Sequence, residues 1–583
     1  MKKLILIFVF TIAIQQLLAA GGRPNIIFIL SDDQGYGDIS SHGAADMKTP
    51  RLDAFAAEGV RFDDFHSAPV CSPTRASLMT GKQFLRAGVW GVHGGRDYLD
   101  LSEKTVAEVL RESGYATAML GKWHLGKTDA YLPYNRGFDA TWSITDRLYE
   151  HTDPVIDHNG TELRPKGWTA EYLTDRAIDW ISENKEGPFF LYLAHPYPHE
   201  PYYAPQSLVD GYKARGLSES YARLCAMVEH LDREVGRLLD AIDAMGLRDN
   251  TLIWFMGDNG PIGNPMNVPH LSDEEMRRRN PSGLKGMKGN LYEGGHRVPS
   301  FVRFGDRFPA RRDGLEGDVT DIVPTLLDIA GVAPEGLDPD GTSIVDRLYG
   351  KHHYEPKLRV YANHEAIWPK RTRLYDYLQD KQVMAFEEQV LSARLGDYKW
   401  VQGYGREELY QVVDDPQELR NLAASEPERA HDIKKSLEEW WTEKVLKNPA
   451  SYALPVYPLP RDAGRSLRLH GCAPAAIHGS LRQGSHYSHD WSGVGAGIDW
   501  AVQVPAAGVY EMAVSLECAD GVALDLLMDG KHVATSQARA GSLEFGTHQV
   551  APDVTRIGLR LSAAGVGVDE QIATLRWLVA SRR

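Results

Sequence analysis

Four apolar segments, each followed at once by polar side chains, constrain the fold of this 583-residue chain more than any other feature. The segments are Asn25-Ile-Ile-Phe-Ile-Leu30, Ala116-Thr-Ala-Met-Leu120, Phe189-Phe-Leu-Tyr-Leu193 and Thr251-Leu-Ile-Trp-Phe-Met256. Strand-like and helix-like patterns alternate from about residue 24 to 345, which predicts an α/β domain with a mainly parallel sheet flanked by helices. Because ligands of open α/β sheets bind outside the carboxyl ends of the strands, we expect the four polar clusters to converge on one site.

The rest of the chain is predicted to form two further units, since 583 residues exceed what one hydrophobic core holds. Residues 346–450 resemble a smaller α+β subdomain, with a strand at Tyr398–Val401 and an amphipathic helix from Glu428 to Val445. A proline-rich linker, Pro455 to Pro460, follows. Residues 462–583 carry short alternating apolar patterns, which predict an all-β sandwich.

The N-terminus has the pattern of a signal peptide at residues 1–20, with two lysines before a short apolar run and small residues at the end. This predicts a periplasmic or secreted protein with no stable membrane span after cleavage. The α/β domain is then expected to start near residue 23. A net charge of −15 without a basic block argues against nucleic acid as a partner. Cys225 is predicted to be a buried thiol, whereas Cys472 and Cys518 either pair or remain free.

Oxygen ligands follow two of the apolar segments. Asp32 and Asp33 follow the first, and Asp258 and Asn259 follow the fourth. Carboxylate and amide oxygens select a hard cation, so the pattern favours Ca²⁺ or Mg²⁺. Either pair alone is more typical of a turn than of a metal site, but both pairs are predicted to end buried strands of one domain.

Several other residue types suit chemistry on an anion. Cys71, with Arg75 four residues on, begins a predicted helix, an environment typical of a reactive thiol. Lys122 and His124 lie on one side of the chain if the backbone there is extended. The polar residues after the third apolar segment include two candidates for a general acid, His199 or else His195. Lys288 lies in a glycine-rich loop, where the backbone can approach a ligand closely.

The motifs together resemble those of the formylglycine-dependent type I sulfatases of the alkaline phosphatase superfamily. The resemblance runs from about Pro24 to Trp441. The motifs occur in family order as Ser-Asp-Asp-Gln-Gly-Tyr-Gly-Asp38, Cys-Ser-Pro-Thr-Arg75, Gly-Lys-Trp-His-Leu-Gly126, Pro-His-Glu-Pro201, Gly-Asp-Asn-Gly260 and Tyr-Glu-Gly-Gly-His-Arg-Val-Pro299. This ordered set implies an alkaline-phosphatase-like fold and a sulfuric ester hydrolase that resembles the arylsulfatases.

The resemblance also implies a role for each candidate residue. Cys71 is oxidised by a sulfatase-maturing enzyme to formylglycine, whose hydrate attacks the ester and forms a covalent enzyme-sulfate. The implied metal ligands are Asp32, Asp33, Asp258, Asn259 and the oxidised residue 71. The implied catalytic residues are Arg75, which steadies the hydrate; Lys122 and Lys288, which hold sulfate oxygens; His199, which protonates the leaving alcohol; and His124, which helps to expel sulfate.

Export and aromatic-basic clusters favour a sulfated carbohydrate as the substrate. The candidate substrate-binding residues are His93, Arg96, His364, Trp368, Lys370 and Arg371. The tail resembles carbohydrate-binding modules, in which Tyr487, His489, Trp491 and Trp500 form a sugar platform unless they belong to its core. Two other functions stay open at this point: a phosphonate monoester or phosphodiester hydrolase, and a non-catalytic carbohydrate-binding protein.

Overall fold

The computed structural model describes residues 22–145, 149–351, 354–362, 385–403, 405–453, 455–461, 466–470, 475–483, 488–517, 522–537, 542–562 and 572–582. The expected signal peptide therefore lies outside the described residues, as do His364, Trp368, Lys370, Arg371, Cys472, Cys518 and Tyr487. Within the described ranges, no helix combines the length and the apolar character needed to cross a bilayer.

A large sheet and a two-stranded sheet organise the first 345 residues. Their strands are β1 (Asn25–Ser31), β2 (Val60–Phe62), β3 (Phe65–His66), β4 (Ala116–Lys122), β5 (Ala140–Ile144), β6 (Ile156–His158), β7 (Thr161–Leu163), β8 (Phe189–Ala194), β9 (Thr251–Gly257), β10 (Ser300–Phe304), β11 (Arg311–Asp313) and β12 (Gly317–Asp318). The large sheet has the order β11-β2-β10-β9-β1-β8-β4-β5-β6-β7, and β12 pairs with β3.

Helices cover both faces of the large sheet. They are α1 (Pro50–Glu58), α2 (Cys71–Thr80), α3 (Val106–Glu112), α4 (Thr169–Asn184), α5 (Gln206–Lys213), α6 (Glu219–Ala244), α7 (Asp273–Arg279), α8 (Glu293–His296), α9 (Ile322–Ala330) and α10 (Val345–Leu348). Alternate residues of β1 divide between two apolar clusters: Phe28 faces the cluster that includes α9, and Ile29 faces the one that includes α6. A strand buried on both faces explains the continuous apolar segment in the sequence.

The four apolar segments form the neighbouring strands β9, β1, β8 and β4, which run parallel. Leu30 of β1 is level with Ala194 of β8 and with Met256 of β9, so the strands end together. The pairings of β10 with β9 and β2, and of β6 with β5 and β7, are antiparallel, so the whole sheet is mixed. The expected convergence of polar clusters at one sheet edge follows from this register.

Within its described residues, the second unit consists of a four-stranded antiparallel sheet and an α-helix. Its elements are β13 (Leu358–Ala362), β14 (Leu391–Leu395), β15 (Tyr398–Gly403), β16 (Arg406–Gln411) and α11 (Pro427–Trp440). A π-helical turn, Trp441–Leu446, continues α11, so the helical segment ends where the amphipathic pattern ends. Leu437 and Trp441 lie in the same apolar cluster as Phe28, and the subdomain therefore extends the core of the catalytic domain.

The tail is all-β, as predicted. Its strands are β17 (Val456–Pro458), β18 (Ser466–His470), β19 (Ala476–Gln483), β20 (Ser488–Gln503), β21 (Gly508–Glu517), β22 (Ala523–Met528), β23 (Lys531–Gln537), β24 (Ser542–Val550), β25 (Arg556–Leu561) and β26 (Ile572–Arg582). β20 pairs with β26 near its start and with β25 near its end, so it lies between these two strands. Asp529 and Gly530, both with positive φ, form the hairpin turn between β22 and β23.

Of the two alternatives for the tail tryptophans, a sugar platform or the core, the structure shows the core for both. Trp491 and Trp500 are fully buried in the apolar cluster of the tail. That cluster also contains Tyr98 and Tyr131 of the catalytic domain, together with Tyr457. The tail and the catalytic domain therefore share one core.

Residues 88–99 form a loop, called the 88–99 loop below, that contacts other segments of the chain on two sides. On one side, the indole nitrogen of Trp90 donates a hydrogen bond to the carbonyl oxygen of Ser451, and its ring meets Trp441 edge-on with centroids 6.0 Å apart. On the other side, the ring of Tyr98 meets that of Tyr131 edge-on, with centroids 4.9 Å apart. Gly88 begins the loop with a φ of 75°, and a Cβ there would lie 2.5 Å from the carbonyl oxygen of Ala450. Backbone from the later part of the chain thus fixes where the loop starts.

Candidate active site

The oxygen ligands predicted from the sequence do come together. Asp32, Asp33, Asp258 and Asn259 are all fully buried at the carboxyl ends of β1 and β9. The backbone N–H of Asp33 donates to Oδ1 of Asp258 at 3.0 Å. The amide of Asn259 donates to Oδ1 of Asp33 at 2.8 Å. The two segments therefore form one cluster, as the parallel register requires.

Three oxygen atoms of this cluster have no hydrogen-bond donor among the described residues. They are Oδ1 of Asp32, Oδ2 of Asp33 and Oδ1 of Asn259. A buried acceptor without a donor is costly, and hard cations such as Ca²⁺ and Mg²⁺ prefer oxygen ligands. Ligand atoms of Asp32, Cys71 and Asp258 also lie within 4.8 Å of one another. The donor set thus fits a hard divalent cation.

Three cationic side chains surround the carboxylates. Lys122 Nζ donates to Asp32 Oδ2 at 2.7 Å, and Lys288 Nζ donates to Asp33 Oδ1 at 2.6 Å. The fully buried guanidinium of Arg75 donates to Asp258 Oδ2 at 2.8 Å. The lysine and arginine candidates therefore reach the same site as the oxygen ligands.

These charges shift the acidities of the carboxyl groups in opposite directions. Burial alone would raise the pKa of Asp32, but Lys122 and the neighbouring cations hold it well below its usual value. Burial and the nearby charge of Asp32 raise the pKa of Asp258 above its usual value. The carboxyl group of Asp258 thus resists ionising beside the carboxylate of Asp32. This is the response expected where a further cation belongs.

Cys71 is the first residue of α2 and is almost fully buried. Burial raises the pKa of its thiol above the usual value. The helix N-terminus and the nearby lysines do not produce a thiolate here, because loss of solvent outweighs them. Residue 71 faces the carboxylates and cations as a neutral group.

His124 is the hydrogen-bond partner of this thiol. Its Nε2–H donates to the carbonyl oxygen of Val92 at 2.8 Å, which leaves Nδ1 to accept from Cys71 Sγ at 3.4 Å. Burial lowers the pKa of His124 well below its usual value, and Lys122 adds to this effect. The backbone at His124 is left-handed, with a φ of 58°, so it is this turn rather than an extended backbone that brings His124 to the site.

Of the two histidines in the third polar cluster, His199 lies at the site. Its Nε2 is 3.4 Å from Asp33 Oδ2, and its Nδ1–H donates to the carbonyl oxygen of Glu200 at 2.6 Å. Burial lowers the pKa of His199 to about 4. Both ring nitrogens of His195 are buried without a described partner, and burial lowers the pKa of this ring to about 3.

Two of the six candidate substrate-binding residues are described. The ring of His93 lies 6.3 Å from that of His124, and the Nε of Arg96 donates to the carbonyl oxygen of His93 at 3.0 Å. Both belong to the 88–99 loop. The other four candidates fall within residues 363–384, outside the described ranges.

Sequence patterns missed two parts of the site. The ring of Tyr149 stacks on His199, and no motif marked this residue. Arg279 is fully buried, pairs with Asp38 at 2.7 Å and donates to the carbonyl oxygen of Asp33 at 3.1 Å. Asp38 ends the first motif, but nothing in the three consecutive arginines at 277–279 distinguished the one that turns inward.

A second cluster of buried ligand types lies at His66, Glu293 and His296. Lys399 Nζ is 3.0 Å from Glu293 Oε1 and 2.9 Å from His296 Nε2. An ammonium group already supplies the positive charge there. This cluster joins the catalytic domain to β15 of the subdomain and is no candidate metal site.

The family model described as Sulfatase matches residues 24–332, which is more than half of the chain and includes every candidate catalytic and metal-binding residue. The chain belongs to the sulfatase family. Rat arylsulfatase G is 31% identical to this sulfatase over 392 residues, 59% of this chain and 72% of the relative. Dog N-acetylgalactosamine-6-sulfatase is 31% identical over 368 residues, 55% of this chain and 66% of the relative.

Solved sulfatase structures share the fold. The crystal structure of Ps i-CgsB in complex with k-i-k-neocarrahexaose is 25% identical, with a TM-score of 0.62, and covers 73% of this chain and 94% of that chain. The predicted alkaline-phosphatase-like architecture is therefore confirmed, with a mixed sheet flanked by helices and an all-β C-terminal part. This sulfatase is a sulfuric ester hydrolase, as the resemblance implied.

Proposed function

We propose that this sulfatase removes sulfate from sulfated carbohydrates, and that Cys71 is the precursor of a formylglycine. The observation that carries the proposal is the setting of Cys71: a buried, neutral thiol beside His124, surrounded by carboxylates and ammonium groups. A neutral thiol is a weak nucleophile. A hydrated aldehyde in its place supplies an oxygen nucleophile for attack on sulfur.

We propose Ca²⁺, with Mg²⁺ as the alternative, as the metal of the site. Asp32, Asp33, Asp258, Asn259 and the oxidised residue 71 would hold it, since three of these side chains carry oxygen atoms without a described donor. When bound, such a cation supplies Lewis acidity and offsets negative charge on an ester oxygen.

The charge balance of the site favours an anionic substrate once a divalent cation is present. Three carboxylates, those of Asp32, Asp33 and Asp258, face three cationic groups, those of Arg75, Lys122 and Lys288. Two further positive charges would leave the site cationic. A sulfate monoester, which carries one negative charge, is the kind of group that such a site binds.

Each charged residue then has one task. Lys122 and Lys288 bind the sulfate oxygens, and Arg75 orients the side chain of residue 71. His199 protonates the leaving oxygen through Nε2, because its Nδ1–H is bonded to Glu200. An anion bound between the lysines favours the charged form of this imidazole, against the effect of burial. His124 accepts the proton of residue 71 at Nδ1, the nitrogen that faces it.

A carbohydrate as the group that carries the sulfate is supported by the relatives. One relative is named an N-acetylgalactosamine-6-sulfatase, and one structural neighbour was solved with a neocarrahexaose. In this chain, His93 and Arg96 lie on the 88–99 loop beside His124 and are proposed to contact the sugar. His364, Trp368, Lys370 and Arg371 are proposed to complete that surface.

The decisive experiment measures desulfation by enzyme produced together with a formylglycine-generating enzyme. The panel contains 4-nitrophenyl sulfate, N-acetylgalactosamine 6-sulfate, sulfated carrageenan oligosaccharides and an aryl phosphonate. Turnover of a sulfated sugar above that of the aryl sulfate supports the proposal. A clear preference for the phosphonate would assign the chain to phosphonate or phosphodiester hydrolysis. Inert enzyme with a verified aldehyde at residue 71 would favour a carbohydrate-binding protein without activity.

Export and maturation form a separate proposal. Residues 1–20 are proposed to direct the chain to the periplasm or the medium, and a sulfatase-maturing enzyme is the proposed partner that oxidises Cys71. The N-terminus of protein recovered from each cell fraction tests the first point. Mass spectrometry of the peptide that contains residue 71 tests the second, since it distinguishes an aldehyde from a thiol.

A further inference from the structure

An aromatic side chain joins two catalytic groups of the site. The ring of Tyr149 stacks on His199 with centroids 4.2 Å apart and an interplanar angle of 9°. Its centroid also lies 5.1 Å from Nζ of Lys122. Tyr149 therefore contacts both the proposed leaving-group acid and one of the proposed sulfate-binding cations.

The polar contacts of the His199 ring are both made by its nitrogens, so they leave rotation about the line through these two atoms open. Nε2 lies 3.4 Å from Asp33 Oδ2, longer than a good hydrogen bond. The Nδ1–H of His199 donates to the carbonyl oxygen of Glu200, the next residue, so this bond ties the ring to its own segment. His151 Nε2–H donates to the carbonyl oxygen of His199 at 2.8 Å and so holds the backbone, not the ring. The backbone of His199 is thus held by His151, and its ring by Tyr149, from one short segment after β5.

We propose that Tyr149 is a positioning residue for His199. Its ring face holds the imidazole at the tilt that presents Nε2 to the oxygen of the leaving group. Parallel aromatic rings at this spacing attract each other and restrict rotation about the side-chain bonds of both residues. This inference rests on the proposed sulfatase mechanism and adds a residue that no motif marked.

The ring rather than the hydroxyl group carries this role. No described residue exchanges a hydrogen bond with the Tyr149 hydroxyl, and burial raises its pKa to about 12, so the group is neutral. Lys122 is fixed independently by its ion pair with Asp32 at 2.7 Å. A phenylalanine at position 149 should therefore keep the stack, whereas an aliphatic side chain should lose it.

The test compares Tyr149→Leu and Tyr149→Phe on two aryl sulfates whose leaving groups need protonation to different degrees. Phenyl sulfate releases a weakly acidic phenol and 4-nitrophenyl sulfate a more acidic one. In Tyr149→Leu, we expect kcat/KM to fall about tenfold more for phenyl sulfate than for 4-nitrophenyl sulfate, as a misplaced general acid requires. Tyr149→Phe should return this ratio to within about threefold of the wild-type ratio.

Tyr203→Leu is the matched control, because it makes the same change in residue type at an exposed position, 44% accessible, shortly after His199 in the chain. It should leave the ratio unchanged. Tyr149→Met, of similar length, replaces Tyr149→Leu if that variant does not fold. Equal losses on both esters, no loss, or a phenylalanine variant no better than leucine would overturn the inference. Wild-type enzyme without turnover of any sulfate ester would instead overturn the proposed function.

Discussion

Cys71 Sγ lies 3.4 Å from Nδ1 of His124, whose other ring nitrogen donates to the carbonyl oxygen of Val92. This pair resembles the thiol–imidazole arrangement of cysteine hydrolases, but burial lowers the pKa of the imidazole and raises that of the thiol. Both shifts favour the neutral pair over the ion pair. The arrangement therefore suits a residue that is modified before it acts.

Cys71→Ala should abolish turnover while the fold persists. Alanine fills the start of α2 without a polar group, and we expect kcat to fall by at least ~10³-fold, because no nucleophile remains. Steady-state rates on 4-nitrophenyl sulfate, together with thermal unfolding, check this. Cys225→Ala is the control for loss of a buried thiol, since Cys225 lies in α6 within a separate apolar cluster. Retained activity in Cys71→Ala would contradict the mechanism.

Chelation and readdition of Ca²⁺ should change stability as well as rate. A cation that binds only the folded protein raises the free energy of unfolding by about 2.7 kcal/mol at one hundred times its Kd. We expect added Ca²⁺ to raise the unfolding temperature of the wild type and to have no such effect on Asp33→Asn. Asp346→Asn, which alters an exposed carboxylate paired with Lys351, serves as the control. An equal shift in Asp33→Asn would place the metal elsewhere.

His199→Ala should impair poor leaving groups most. We expect kcat/KM to fall by roughly 10²-fold or more for a sulfated sugar and by much less for 4-nitrophenyl sulfate, because an acidic phenol leaves without a proton. His195→Ala removes a buried histidine of the same segment that has no described hydrogen bond. If His195→Ala showed the substrate dependence and His199→Ala did not, the acid role would belong to His195.

Tyr131→Phe should weaken the junction between the tail and the catalytic domain. The hydroxyl of Tyr131 donates to the carbonyl oxygen of Val456 and accepts from its N–H, both at 3.0 Å. Removal leaves two backbone groups without this partner, so we expect the free energy of unfolding to drop by about 1–3 kcal/mol. Tyr134→Phe, which removes a bond to Asp129 near the surface, should cost about 0.5 kcal/mol or less. Urea denaturation of both variants distinguishes the two sites.

Asp232 gives a pH dependence of stability outside the active site. Its carboxylate on α6 accepts N–H groups from Arg51 and Leu52 at the start of α1, and burial raises its pKa to about 6. The protonated carboxyl group is favoured in the folded protein, so its full contribution to the free energy of unfolding is present below pH 4, about the usual pKa of an aspartate. This contribution is lost as the pH rises through about 6, the pKa in the folded state. Asp232→Asn should therefore be more stable than wild type by about 1–2 kcal/mol near neutral pH and equal to it near pH 4.

Thermal and urea unfolding at several pH values test this expectation. The wild-type and Asp232→Asn curves should converge on acidification. A variant that is less stable than wild type at neutral pH would show that the carboxylate charge favours the N-terminus of α1 despite its burial.

The central strands of the catalytic sheet could be predicted from the sequence, because β1, β4, β8 and β9 are each short, apolar and followed at once by polar residues. Asp32 and Asp258 each follow the carboxyl end of an apolar strand, and the parallel pairing of β1 with β9 brings these ends side by side. The tail strands were equally readable, since Tyr510, Met512, Val514 and Leu516 are all buried on one face, as their alternation indicates.

Features that depend on packing between distant segments were not predictable. The pKa of the Cys71 thiol depends mainly on burial by several elements, which its place at a helix N-terminus does not reveal. Trp491 and Trp500 are typical of either a sugar platform or a core, and only the folded tail decided between them. Tyr149 and Arg279 belong to no local pattern, because His199 and Asp33, the residues that they contact at the site, come from distant segments of the chain.

The shared core of the tail and the catalytic domain has a consequence for the ancestry of this protein. Tyr98 and Tyr131 are packed with Tyr457 and the tail strands, so a chain cut at the proline-rich linker would expose them to water. Tyr98 also ends the loop that carries Val92, the hydrogen-bond acceptor of His124. If related genes exchange tails, the receiving chain needs compatible tyrosines in its first quarter. The unit that evolution can transfer intact is therefore larger than the C-terminal domain itself.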